Sequence, residues 1–251
     1  MRLAFDLDGT VADMHSALAR EAVRLFPGID DSAVPNSTSP LPEDGSVDTA
    51  DNSRASIGHL SSRQQRELWS TVCAHKNWWE SLAEIEPGAL ARLYAVATAR
   101  KWEVIFITSR PESAGDTAQA QSHRWLTKMG YLTPSVFVCH GSRGKIAAAL
   151  ALDVFVDDRP ENCLDIAIDS QARAILVWRG DEGKVPGSAR PLGIGSVSSI
   201  NECIDILERL DDGTEESGSV VSRLKSLLGL KSKPARPETP RRTVAAGYSR
   251  G

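Results

Sequence analysis

The chain has 251 residues, 41% of them apolar, and a net charge of −4 at pH 7, values that suit one large domain or one domain with an insert. The acidic balance argues against a globally basic nucleic-acid binder, the four cysteines lack the CxxC spacing of a zinc knuckle, and no apolar run approaches membrane-spanning length. No basic segment precedes an apolar stretch near Met1, so we expect a soluble protein of the reducing cytoplasm.

The chain starts with a short apolar run, residues 2–6, that predicts a buried strand ending in two acids, Asp6 and Asp8. Residues i and i+2 of a strand point to the same side, so both carboxylates can reach one site. Gly9 allows a sharp turn after the strand. Acids beside open backbone suit a hard cation and a phosphate, and a carboxylate can itself attack phosphorus. The alternative is that Thr10 caps a helix and the acids are merely exposed.

The next part of the chain is helical but interrupted. Apolar periodicity predicts helices over 14–26, 61–76 and 87–100. Residues 28–58 are rich in Ser, Asp, Pro and Asn and predict a long, mobile polar loop.

From residue 104 onward, strands alternate with helices, a pattern typical of βαβ units and a parallel sheet. Ligands of such sheets bind beyond the carboxyl ends of the strands. The predicted strands are 104–108, 135–139, 153–157 and 173–178, and the predicted helices are 116–129, 144–151 and 161–168. Short amphipathic helices follow at 201–210 and, within 211–230, at 219–229, before a basic, proline-rich and disordered tail at 231–251.

Polar residues follow the later strands in the same way as the first. Thr108 and Ser109 offer hydroxyls to phosphate oxygens, and Lys145 opens a helix whose N-terminus favours an anion. Asp157 and Asp158 form a second acidic pair. Each has an ordinary reading as a cap, a surface charge or an acidic turn. Together they converge on one edge of the predicted sheet, with carboxylates for a metal and donors for a phosphate.

These four motifs, at this order and spacing, resemble those of the haloacid dehalogenase (HAD) superfamily of phosphatases over about residues 1–180. The resemblance implies a Rossmann-like α/β core at 1–13 and 101–210, with a helical cap at 14–100 that favours small substrates. It implies that Asp6 is the nucleophile, that Asp8 is the general acid and then the base, and that an aspartyl-phosphate forms. Thr108, Ser109 and Lys145 would hold the phosphoryl group. Mg²⁺ would be held by the carboxylate of Asp6, the main-chain carbonyl of Asp8 and the pair Asp157 and Asp158.

A second resemblance concerns the substrate. The stretch Asn77–Leu90, with its aromatic pair Trp78 and Trp79, is similar to the cap-to-core segment of the 5′(3′)-deoxyribonucleotidases, as is the run 156–162. In that family cap aromatics line a nucleobase pocket. The resemblance therefore implies hydrolysis of (deoxy)nucleoside monophosphates, with packing of both tryptophans as the alternative.

Two other functions stay open. Thr-Ser-Arg-Pro at 108–111 also resembles the phosphatase domain of polynucleotide kinase-phosphatases, which remove 3′-phosphates, and another small metabolite is a further possibility. The basic tail could instead make the chain a weak nucleic-acid or partner binder. At least two of the arginines Arg110, Arg143 and Arg159 are expected on the surface. Nothing in the sequence decides the oligomeric state.

Overall fold

The computed structural model describes residues 1–27, 60–180 and 191–212, which form one sheet flanked by helices. The elements in chain order are β1 (Arg2–Asp6), α1 (Met14–Leu25), α2 (Ser62–Ala74), a 3-10 helix (Trp78–Ser81), α3 (Ala89–Arg100), β2 (Glu103–Thr108), α4 (Ala118–Lys128), β3 (Ser135–Val138), α5 (Arg143–Ala149), β4 (Val154–Asp157), α6 (Pro160–Asp169), β5 (Arg173–Val177), β6 (Gly195–Val197) and α7 (Ile200–Asp211).

All six strands are parallel and lie in the order β3-β2-β1-β4-β5-β6, which confirms the predicted Rossmann-like α/β sheet. β1 pairs with β2 on one side, where Asp6 lies opposite Ile107, and with β4 on the other, where Phe5 lies opposite Val156. β2 and β3 are therefore added on one side of β1, and β4, β5 and β6 on the other, so the direction of strand addition reverses at β1. In open α/β sheets such a point is where ligands bind.

The sheet is apolar on both faces because its strands are covered by helices on both sides. In β1, Leu3 and Phe5 join one apolar cluster and Ala4 joins the other, as the two-residue period of a strand requires. In β4, Val156 and Phe155 divide in the same way. Burial of each large apolar side chain contributes roughly 1.5–3 kcal/mol, so the two central strands are firmly held.

The helices of the predicted cap fall into two groups. α1 and α2 contact each other and place Leu18 and Leu68 in the same apolar cluster as Phe5. α3 instead lies beside α7, where the Arg92 Nη1 donates to the main-chain oxygen of Asn201 at 3.1 Å. α3, in the predicted cap range 14–100, thus packs on α7, in the predicted core range 101–210.

Some predictions fall on parts of the chain beyond this description. The polar loop at 28–58, the helix at 219–229 and the tail at 231–251, with its suggested nucleic-acid binding, lie outside the described residues. Within the described ranges, no helix is both long and apolar enough to span a membrane.

Candidate active site

Two buried carboxylates end the two central strands. Asp6 is the last residue of β1 and Asp157 is the last residue of β4, and these strands are hydrogen-bonded neighbours. Asp6 is 6% exposed, Asp157 is fully buried and Asp158, which follows it, is 1% exposed. The structure therefore brings three of the predicted acids together at the carboxyl edge of the sheet.

The loop after β1 lies directly against Asp158. Gly9 has φ of 86°, in the left-handed region, and a Cβ at this position would lie 2.2 Å from Asp158 Oδ2. Thr10 Oγ1 donates to Asp158 Oδ1 at 2.9 Å. Thr10 thus anchors the loop to the acidic pair, while Asp13 caps α1 by accepting from the main-chain N–H of Ser16.

The acidic cluster carries more negative charge than its surroundings neutralise. Burial raises the pKa of Asp6 well above its usual range, and the charges of Asp157 and Asp158 add to this, while Arg143 offsets part of it. Burial, with the charge of Asp157, raises the pKa of Asp158 to about 8. Burial also raises the pKa of Asp157. A bound cation would relieve this repulsion.

The two acids of the second pair are both held by hydrogen bonds. Asp157 Oδ1 accepts from the main-chain N–H of Arg159 at 2.8 Å, and Asp157 Oδ2 accepts from Asn162 Nδ2 at 3.0 Å. Asp158 Oδ1 accepts from Thr10 Oγ1, and the main-chain N–H of Asp158 is a further donor to its carboxylate. Among the described residues, each acid of the pair is therefore held by one side-chain donor and one main-chain donor.

A magnesium ion would fit this edge as a sparse site. Within the described ranges, no three His, Cys, Asp or Glu side chains are grouped to hold a metal. Mg²⁺ needs fewer because it keeps several waters and is commonly bound through one or two carboxylates. The carboxylate of Asp6, the pair Asp157 and Asp158 and the main-chain carbonyl of Asp8 would supply such a site, and the burial of three acids at one strand edge is the observation that favours a cation.

The Asp8 carboxylate is paired with an arginine. Arg110 donates to Asp8 Oδ1 from Nη2 at 2.7 Å and to both carboxylate oxygens from Nε, at 3.0 and 2.9 Å. Thr108, predicted to bind phosphate, donates from Oγ1 to Asp8 Oδ2 at 3.1 Å. The end of β2 therefore holds Asp8 through two neighbouring side chains.

The cation beside Asp6 is Arg143 and not the predicted Lys145. Arg143 is 2% exposed, and its Nη2 lies 3.4 Å from Asp6 Oδ1 and 2.9 Å from Ser109 Oγ. Lys145 is exposed, and its main-chain N–H donates to the capping hydroxyl of Ser142. Helical residues two apart do not share a face, so burying Arg143 turns Lys145 outward. Ser109 lies within the site, as predicted.

The expectation that at least two of Arg110, Arg143 and Arg159 lie on the surface is wrong. Arg110 and Arg143 are both 2% exposed and each contacts a candidate catalytic acid, while Arg159 is half-buried. Buried arginines at the end of such a sheet are paired because an unpaired buried charge is costly. Their pairing to Asp8 and Asp6 makes them part of the site.

The two tryptophans of the predicted nucleobase pocket are packed inside the protein. Trp79 is fully buried, and its Nε1–H donates to the main-chain oxygen of Pro111 at 3.1 Å. Trp78 is 7% exposed and meets Trp79 edge to face, with ring centroids 4.7 Å apart. Neither presents a free ring face for stacking on a base, so the packing alternative holds in this structure.

One supporting residue gave no sequence signal. Arg179, just after β5, donates to the main-chain oxygens of Gly9 and Thr10 at 2.8 and 2.9 Å. Glu86 accepts from Arg179 Nη2 at 2.8 Å. By contrast, Arg110 directly follows the predicted Thr108 and Ser109, so its place next to them in the chain was a signal that could have found it.

A solved structure shares this architecture. It is a HAD family hydrolase from Deinococcus radiodurans R1, solved with bound phosphate and sodium, and it superposes with a TM-score of 0.51 at 11% sequence identity. The alignment covers 86% of this chain and 98% of that one. The chain has the fold of a HAD family hydrolase. The sequence matches no protein-family model and has no significant match among curated proteins.

Proposed function

We propose that the protein is a phosphomonoesterase that transfers the phosphoryl group of its substrate to Asp6 and then to water. The observation that carries this is the position of Asp6, buried at the centre of the carboxyl edge with the Arg143 guanidinium 3.4 Å from its Oδ1. Asp8, two residues along, is the second carboxyl that such a reaction needs. The HAD hydrolase fold supports the same reaction class.

Each step has a residue in place. An Asp6 oxygen attacks phosphorus, and Asp8 gives its proton to the leaving oxygen as the P–O bond breaks. Arg143 and the hydroxyls of Thr108 and Ser109 bind the phosphoryl oxygens, where charge accumulates. Asp8 then takes a proton from water, whose attack on the aspartyl-phosphate releases inorganic phosphate and restores Asp6.

We further propose that the reaction depends on Mg²⁺, held by the carboxylate of Asp6, the main-chain carbonyl of Asp8 and the pair Asp157 and Asp158. When bound, the ion would neutralise charge between the nucleophile and the phosphate. Arg143 takes the role that the sequence suggested for Lys145, since it alone of the two contacts Asp6.

The substrate class that we propose is a (deoxy)nucleoside monophosphate. Its support is the similarity of residues 77–90 and 156–162 to the deoxyribonucleotidases, which does not depend on base stacking by Trp78 or Trp79. The Thr-Ser-Arg-Pro stretch at 108–111 favours the second candidate, a 3′-phosphorylated polynucleotide end.

The test is phosphate release from nucleoside monophosphates, sugar phosphates and a 3′-phosphorylated oligonucleotide, with Mg²⁺ and with EDTA. We expect Mg²⁺-dependent release that is lost in Asp6→Asn. The matched control is Asp116→Asn, because Asp116 is exposed, its carboxylate pairs with Arg124, and its bonds to Asn77 and Gln121 run through the main chain, which the substitution keeps. Release that survives in Asp6→Asn, or no release from any substrate, would overturn the proposal. The preferred substrate decides between the two candidates.

A further inference from the structure

The Arg110 guanidinium packs against Trp79, Trp125 and Ser122, which we call the aromatic cage. The guanidinium carbon lies 4.8 Å from the ring centroid of Trp79 and 5.6 Å from that of Trp125. Nη1 donates to Ser122 Oγ at 2.8 Å, and the side chain is fully shielded from solvent. A cation against aromatic faces is favoured by the ring quadrupole, most strongly when water is excluded.

The walls of the cage are fixed by hydrogen bonds of their own. Trp125 Nε1 donates to the main-chain oxygen of Leu82 at 2.8 Å, and the main-chain N–H of Trp79 donates to Gln121 Oε1 at 3.2 Å. Ser122 Oγ donates to the main-chain oxygen of Ala118 at 2.7 Å. The guanidinium plane therefore has little freedom to turn, and α4 and the 3-10 helix set its direction.

The direction of the Arg110 guanidinium fixes the orientation of the Asp8 carboxylate. Asp8 is two residues beyond β1, and its side chain is only 12% exposed. Oδ1 takes two N–H groups of Arg110, while Oδ2 shares one of them and also accepts from the rotatable hydroxyl of Thr108. When that hydroxyl turns to a phosphoryl oxygen, Oδ2 keeps one free lone pair, the position that would carry the proton given to the leaving oxygen and later receive one from water.

We propose that Arg110 is a positioning residue that aims Oδ2 of Asp8 at the leaving-group oxygen, with Trp79 and Trp125 holding Arg110 in place. The inference rests on the proposed phosphatase function and adds to it an aromatic-caged cation that orients the acid. The tryptophans then serve catalysis indirectly, through Arg110. A lysine cannot make the bidentate pair with Asp8. Arg110→Lys therefore keeps the positive charge but removes the fixed orientation of the Asp8 carboxylate.

The experiment compares kcat/KM of wild type and Arg110→Lys on an alkyl phosphate, whose leaving group needs a proton, and on 4-nitrophenyl phosphate, which does not. kcat/KM reports the first, phosphoryl-transfer step. General acid catalysis contributes about 10²–10⁴-fold, so we expect a loss of about 100-fold on the alkyl ester and less than about 3-fold on the nitrophenyl ester. kcat should fall with both esters, because Asp8 also activates water in the second step.

Two further variants keep the proposal falsifiable if Arg110→Lys folds poorly. Ser122→Ala removes the Nη1 contact, together with the bond from the hydroxyl to the main-chain oxygen of Ala118, and leaves both tryptophans in place. It should give a smaller loss of kcat/KM, about 3–10-fold, again confined to the alkyl ester. Arg124→Lys, on the exposed side of α4 and paired with Glu80, is the matched control and should change neither rate. If kcat/KM of Arg110→Lys fell equally on both esters, or on neither, Arg110 would be merely structural.

The outcomes separate this inference from the proposed function. An inactive wild type, or an active Asp6→Asn variant, would reject the phosphatase. An active wild type that needs Asp6, combined with an Arg110→Lys variant insensitive to the leaving group, would reject only the positioning role.

Discussion

Arg179 and Thr10 are 169 residues apart in the chain, yet Arg179 Nη2 donates to the main-chain oxygen of Thr10 at 2.9 Å. The same nitrogen donates to Glu86, which also accepts from the main-chain N–H groups of Ile200 and Asn201 at the start of α7. Burial alone would raise the pKa of Glu86, but these hydrogen bonds lower it overall. The loop after β1 is therefore linked to the start of α7 through the ion pair of Arg179 and Glu86.

Replacing Arg179 should weaken both the fold and the site. Arg179→Ala removes two hydrogen bonds from the loop and leaves Glu86 half-buried without its cation, so we expect a loss of about 1–3 kcal/mol in the free energy of unfolding. Urea unfolding measures this loss. Arg173→Ala, at the exposed start of β5, is the control and should cost less than about 0.5 kcal/mol. Equal losses would contradict the bridging role.

The metal-free protein should lose stability as the pH rises. Asp158 has a pKa of about 8 in the folded chain against about 3.9 in the unfolded one, so the folded state binds its proton more tightly. That contribution is complete below about pH 4 and is lost as the pH rises through about 8. Thermal melts in EDTA should show that Tm falls as the pH is raised from about 4 to about 8. A loss of about 2 kcal/mol in the free energy of unfolding lowers Tm by about 4–8 °C. The slope should flatten in Asp158→Asn, and identical slopes in the two proteins would refute the assignment.

Magnesium should reverse this loss. An ion that binds only the folded state adds about 2.7 kcal/mol at 100 times its Kd. Protons compete for the same carboxylates, so the gain in Tm should be larger at pH 8 than at pH 5. Calorimetry with Mg²⁺, against Na⁺ at equal ionic strength, makes the comparison. A gain that is the same at both pH values, or that persists in Asp158→Asn, would place the ion elsewhere.

Arg143 and Lys145 offer a paired test of which cation serves the phosphate. Arg143→Ala should lower kcat/KM by about 10²–10³-fold, because it removes a buried donor aimed at developing charge. Lys145→Ala should stay within about twofold, since its side chain is exposed. Steady-state kinetics on one substrate is sufficient. The opposite ranking would restore the role that the sequence suggested for Lys145.

Replacing Trp79 should lower the stability of the fold and leave the choice of substrate unchanged. Trp79→Ala should cost about 3–5 kcal/mol by opening a cavity in the core. Trp69→Ala, where the ring is half-buried, should cost less. In Trp79→Phe, which keeps most of the packing, the ratio of KM values for a nucleotide and a sugar phosphate should match wild type. A selective rise for the nucleotide would instead indicate contact with the base.

The strands and the acids could be predicted because each follows from a local rule. Continuous apolar runs such as 104–107 are typical of strands buried on both faces, and an acid directly after such a run lies at the carboxyl edge, as Asp6 and Asp157 do. The two-residue period does not apply to Asp8, because β1 ends at Asp6. β6 escaped prediction because three residues, Gly195–Val197, are too few and too polar to show a period. The strands that carry these acids could therefore be predicted from short stretches of sequence.

The cations could not be predicted in the same way. The sequence predicts the helix from 144, whereas α5 begins at Arg143 behind the Ser142 cap, and each residue turns a helix by about 100°. The side chains of Arg143 and Lys145 are about 200° apart around α5, and the packing of α5 against α6 decides which of them meets Asp6. The position of Arg110 next to Thr108 and Ser109 was a local signal, but its burial depends on Trp79 and Trp125, which belong to two separate elements.

The central place of β1 has a consequence for how the protein is made. Its neighbours arrive late, since Arg2 lies opposite Glu103 in β2 and Leu3 lies opposite Val154 in β4. At about 5–20 residues per second, a ribosome needs roughly 5–20 s to deliver β2 after β1. The apolar strand that carries Asp6 can therefore join the sheet only after that interval, so the centre of the sheet forms late in synthesis.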